Sequence, residues 1–193
     1  YYPKESYWLI LLNRISGKPG FSSRLSVDVL RLRMHHNMLK KPNEYMELAQ
    51  LVLRDGAAGE AVKIITRGYK EGILGVGPDA ARHQRLKDLA DKNLAETKTK
   101  AAANEADLVK IGDKDGLVAL GYSLVSAGDT AKGLKMMEAA IKGGGLKRPE
   151  DAKLRLGQAY AMAGNKSKAI STLRTVGGKD GTAEIARYTI MSL

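Results

Sequence analysis

The residues able to do chemistry are few. His35 and His36 are neighbours, and His83 stands alone. Adjacent histidines on a helix point to different sides, so they do not make the i, i+4 pair of a helical metal site. All three read as surface histidines. Asp113, Asp115 and Asp129 lie near turns, but Lys114 sits between the first two and no Asp-x-Asp-x-Asp-Gly loop with a following Glu is present. Turn and capping roles account for them. Gly72-x-x-Gly75-x-Gly77 and Gly143-Gly144-Gly145 follow no expected strand and carry no Lys-Ser/Thr. They read as helix stops rather than phosphate loops. There is no cysteine, hence no thiolate ligand, disulfide framework or cysteine nucleophile. There is also no Gly-x-Ser-x-Gly elbow. These residues predict neither an enzyme nor a metal site, and imply no cofactor.

Composition narrows the class further. One Trp and one Phe in 193 residues, against many Ala and Leu, suit helices with shallow contacts. The longest apolar run, Trp8–Leu12, is far too short to span a bilayer, so no transmembrane segment is expected. The formal net charge is +11. Residues 1–41 alone carry eight Lys or Arg against two Asp or Glu. Such a surplus can attract nucleic acid, an anionic surface or an acidic partner. The chain opens on Tyr1 rather than Met, which suggests a piece of a longer protein.

A repeat organises the rest. Leu48-Ala49, Leu120-Gly121 and Leu156-Gly157 each stand a fixed interval before Gly56, Gly128 and Gly164, at offsets of 72 and 36 residues. A period of this size predicts stacked helical units. Trp8, Leu11, Leu12 and Ile15 mark a first helix, and Ser16–Gly20 a break. Ser22 is expected to cap a second helix running through Met38. Pro42 opens the next, with Tyr45, Leu48, Ala49 and Val52 inward. Its partner carries Ala61, Ile64, Ile65 and Gly68, and the small residues set a close crossing. Residues 78–111 read as one long helix, or two with a weak break near Thr97–Asn104. Two further pairs occupy 113–148 and 149–180. A last helix from Thr182 is apolar on several sides, so it folds back on the preceding pair or meets another chain.

The motif Leu156-Gly157-x-x-Tyr160-x-x-x-Gly164-x-x-x-x-Ala169-x-x-x-Leu173-x-x-Val176 resembles a tetratricopeptide repeat. Leu120-Gly121 to Ala140 and Leu48-Ala49 to Gly68 resemble two more. The whole chain is similar to the C-terminal part of exported bacterial proteins of that family, which implies a periplasmic or secreted location. The fold implied is all-α: a right-handed solenoid of antiparallel helix pairs, about ten helices with one long irregular helix at about 78–111. It is a single domain: an atypical basic pair in 1–41, repeat-like units at 42–77, 113–148 and 149–180, a divergent unit at 78–112 and a terminal helix at 181–193.

The resemblance further implies that the first helix of each pair lines a concave groove. Transferred residue by residue, the groove sites are Met46, Gln50 and Leu53, then Val118, Tyr122 and Val125, then Leu154, Gln158 and Met162. No Lys is among them, so the carboxylate clamp of some relatives is not expected. An apolar lining with two amides and a phenol suits an amphipathic helix or an apolar peptide. The chain's own segment 78–111 or its terminal helix could instead fill the groove. The function expected is a non-catalytic scaffold that binds protein or peptide. The alternatives are nucleic-acid or anionic-surface binding by the basic face, or self-association through the terminal helix. Specific nucleic-acid reading is not expected, because base-reading repeats need polar readers at a constant site.

Overall fold

The structure, a computed structural model, describes residues 5–193. Among them are ten α-helices and one 3-10 turn, with no strand. The helices are α1 (Glu5–Ser16), α2 (Ser26–His35), α3 (Pro42–Arg54), α4 (Ala58–Lys70) and α5 (Ala80–Ile111). They continue with α6 (Lys114–Ser126), α7 (Thr130–Lys142), α8 (Pro149–Met162), α9 (Lys166–Arg174) and α10 (Thr182–Met191). None is long and apolar enough to cross a membrane.

Helix ends follow local chemistry. Pro42 starts α3, and Glu44 reaches back to accept the Lys40 and Lys41 N–H groups at 2.9 Å each. The Asp113 carboxylate caps α6 by accepting the Gly116 N–H. Gly112 closes α5 in the left-handed conformation, at φ 71°. Two expectations shift. Ser22 makes no side-chain cap, and a 3-10 turn (Ser23–Leu25) intervenes before α2. The helix stops at His35 rather than Met38, because Asn37 turns left-handed at φ 58°. Residues 80–111 are one uninterrupted helix. The threonines within it bond back to carbonyls of the preceding turn, Thr97 to Asn93 and Thr99 to Ala95, so the hydroxyls are satisfied without breaking the helix.

Consecutive helices pair as α3 with α4, α6 with α7 and α8 with α9. Small residues set the crossings. A Cβ placed on Gly133 would lie 2.4 Å from the Gly121 carbonyl oxygen, so the α6 and α7 backbones touch. One on Gly59 would lie 2.2 Å from the Ser126 carbonyl oxygen, drawing α4 against the end of α6. The main core runs through these pairs, with Leu48, Ala49, Ile65, Met137 and Ala159 sealed inside.

A second core joins the two ends of the chain. Trp8, Leu12 and Ile15 of α1 meet Val29 and Leu32 of α2, and with them Leu154, Leu173 and Ile185 from α8, α9 and α10. Each such aliphatic side chain contributes about 1.5–3 kcal/mol by leaving water. The terminal helix therefore folds back. Its apolar side is used against α8, α9 and α2, leaving Met191 exposed.

Candidate functional site

Helix α2 reads Ser-Val-Asp-Val-Leu-Arg-Leu-Arg-Met-His. Asp28 and Arg31, three residues apart, project from the same side, and Arg31 Nη1 donates to Asp28 Oδ1 at 3.0 Å. On α8, Arg155 and Gln158 share the same spacing and reach the same carboxylate. Arg155 Nη2 donates to Asp28 Oδ2 at 3.1 Å, Arg155 Nη1 donates to Oδ1, and Gln158 Nε2 donates to Oδ1 at 2.9 Å. On α4, Glu60 takes Arg31 in a fork at 2.7 and 2.8 Å. On α6, the Tyr122 hydroxyl donates to Glu60 at 3.3 Å, and its ring lies under both guanidinium groups, at 5.6 Å from Arg31 and 5.9 Å from Arg155.

Four helices thus meet at one polar cluster. The Asp28 side chain has no exposed surface, and an unpaired carboxylate there would be very costly. Burial pushes its pKa up. The charges of Arg155 and Arg31 and the bonds from Arg155 and Gln158 outweigh that effect and hold it at about 2. Burial pushes the Tyr122 hydroxyl up, the Glu60 charge adding to it against the opposing pull of Arg31. Near neutral pH Asp28 is ionised with its donors in place and Tyr122 keeps its proton. Neither is poised to exchange a proton, so the cluster works as a lock between helices.

Six of the nine groove residues read from the sequence are buried: Met46, Val118, Tyr122, Val125, Leu154 and Gln158. The segment over Tyr122 and Gln158 is α2, through Asp28 and Arg31. Over these two residues it is neither 78–111 nor the terminal helix, the two coverings expected from the sequence, although Leu154 shares a core with Ile185 and Ala186 of α10. Helix α5 instead packs on α3, α4 and α6. Leu53 borders a hollow of about 280 Å³ against α5, apart from the other groove residues. Gln50 is exposed. Met162, 37% exposed, edges an open cleft.

Two clefts flank the polar cluster, and Arg31 and Tyr122 line both. One, about 450 Å³, lies between α2, α4, α8 and α10. Its walls include Met34, Ile64, Met162 and Leu193, with Lys63 among its lining residues. The other, about 550 Å³, opens where the 3-10 turn, the end of α3 and the starts of α6 and α8 converge.

The histidines divide. His35 is exposed. His36 stacks on Trp8 with ring centroids 3.8 Å apart and sits 2.9 Å from the Ser192 hydroxyl. Its pKa is lowered by burial and by the neighbouring His35. His83 is not on the surface. It is 2% exposed, and its Nδ1 accepts the Gly75 N–H at 3.1 Å, pinning the glycine connector onto α5. No group of three or more metal-ligating side chains converges among the described residues.

The sequence reading missed the Asp28–Arg155 pair. The residues are 127 positions apart, but a signal existed: Asp28 and Arg31 interrupt the apolar run Val27, Val29, Leu30, Leu32. A charged pair within an apolar stretch marks a buried, partnered site.

Comparison with protein-family models, curated proteins and solved structures gave no match.

Proposed function

We propose that this chain is a non-catalytic scaffold: a tetratricopeptide-like, right-handed α-α superhelix that captures a protein or peptide. The carrying observation is the set of three helix pairs whose glycines recur at the 36-residue register, with an open apolar cleft beside them. Pairs of this kind extend a surface rather than enclose a reaction centre. Of the expected groove residues, Met162 edges the open cleft whose walls also include Met34 and Ile64. Two methionines give it adaptable, polarisable walls. Lys63 has no ion-pair partner among the described residues. The ligand that suits this cleft is an amphipathic segment, apolar on one side with a carboxylate to face Lys63.

The test is capture of partners by the immobilised chain and by Met162→Glu and Lys63→Glu. Both side chains are exposed, so melting should be unchanged while specific capture falls. Capture equal to that of the unaltered chain in both variants would remove the cleft from consideration. Binding that tracks added RNA and vanishes at moderate salt would instead favour a non-specific charge effect.

A further inference from the structure

The second cleft has a different character. Arg24, Arg31, Arg54, Lys147, Arg148 and Arg155 all line it. Three carboxylates share the lining, and of these only Asp151 is hydrogen-bonded to a cationic side chain. Arg24 forks Asp151 at 2.7 and 2.7 Å. Asp115 accepts the Lys147 backbone N–H at 3.2 Å. Asp55 lies 3.7 Å from its neighbour Arg54. At the mouth, the Arg54 side chain is 69% exposed. Lys147 and Arg148 are exposed and join no ion pair among the described residues.

Two further arginines of the lining, Arg31 and Arg155, are half-buried and hold unspent donors. A guanidinium has five N–H groups. Arg31 gives three to Asp28 and Glu60. Arg155 gives its bonds from Nη1 and Nη2, while its Nε donates to no described residue. Arg155 is fixed in place by Asp28 and is one of the residues that line the cleft. The lining also has an apolar part, formed by Leu25, Val118, Ala119, Ala152 and Leu154. A volume of about 550 Å³ falls in the range of small-molecule sites.

We propose that this cleft binds a small multivalent oxyanion carried on a planar or apolar body. Phosphate and carboxylate groups share the chemistry required. Planar guanidinium forks match either oxyanion, and the exposed cations at the mouth supply further charge. The apolar lining covers the body. The site is separate from the peptide cleft, with Arg31 and Tyr122 as the wall between them.

The experiment is calorimetric titration of the full chain at about 150 mM salt, where surface attraction is screened within about 8 Å. The probes are ATP, tripolyphosphate and citrate. Saturable one-to-one binding of ATP, about tenfold weaker in Lys147→Glu/Arg148→Glu with unchanged melting, is the expected result. A control pair on α5, Lys92→Glu/Lys98→Glu, should leave it unaltered. Binding of citrate weaker than that of ATP, with the same variant sensitivity, supports the cleft and assigns carboxylate as a ligand group. Tripolyphosphate or citrate binding as tightly as ATP overturns the role given to the apolar lining. No saturable binding by any probe, or equal losses in the α5 control, overturns the site.

Discussion

Helices α2 and α5 are held by opposite means. Helix α2 is ten residues long and buries five of them, one a carboxylate. Its valines, serine, aspartate and histidine are indifferent helix formers. Helix α5 is 32 residues long and buries four: His83, Leu86, Ala90 and Ala101. Its middle is alanine, lysine and glutamate, strengthened by i, i+4 pairs such as Lys87–Asp91 and Glu96–Lys100. The short helix persists because others surround it. The long one packs on α3, α4 and α6 through a few residues, and its own backbone and local pairs carry the rest. Segments held by tertiary packing fail when one distant partner is lost, whereas locally stabilised ones lose stability gradually.

The largest effect expected is that of Asp28→Ala. It leaves Arg155 and Arg31 without their shared carboxylate and should cost about 3–5 kcal/mol in chemical denaturation. A loss near zero would mean that α2 is not locked by the cluster. Acid probes the same bond. The folded pKa of Asp28 is depressed to about 2, below the value near 3.9 of an unfolded chain. Its contribution is therefore complete above about pH 4 and is lost as pH falls through about 2. Wild-type stability should drop by roughly 2 kcal/mol more over that window than that of Asp28→Asn.

The helix crossings come next. Leu173 already lies 2.5 Å from where a Gly157 Cβ would stand. Gly157→Leu should overpack α8 against α9 and cost about 1–3 kcal/mol by thermal melting. A tolerated leucine would show that the pair has slack. The smallest effect belongs to α5. Ala102 is exposed, and Ala102→Gly should cost about 1 kcal/mol, the bare helix propensity difference. A much larger loss would show that this exposed face of α5 is supported by more than its own backbone.

Much of the helical layout was legible because its signals are short-ranged. Pro42, Asp113, Gly112 and the 3–4 apolar spacing act within a turn or two of chain. They place α3, α6 and the end of α5 close to where the sequence reading put them. The end of α2 was not legible, because it depends on Asn37 adopting a left-handed turn. Nor was the burial of His83, since a lone histidine in a basic stretch reads as surface until Gly75 is found beside it. Of the expected groove residues, Met162 still edges an open cleft. Tyr122 and Gln158 lie under α2, a covering encoded in residues far from either.

By itself the sequence determined that the chain is helical, where most of its helices begin and end, and which ones pair at a 36-residue repeat. Backbone hydrogen bonds, caps and i, i+4 neighbours are local, so local residues suffice to specify them. Only the tertiary structure decided that α2 covers Tyr122 and Gln158, and that two clefts rather than one continuous surface result. That outcome depends on Asp28 finding Arg155 and Gln158 on α8, and on Arg31 finding Glu60 on α4. A buried charge is tolerable only when such distant partners arrive together, and no stretch of sequence contains them all.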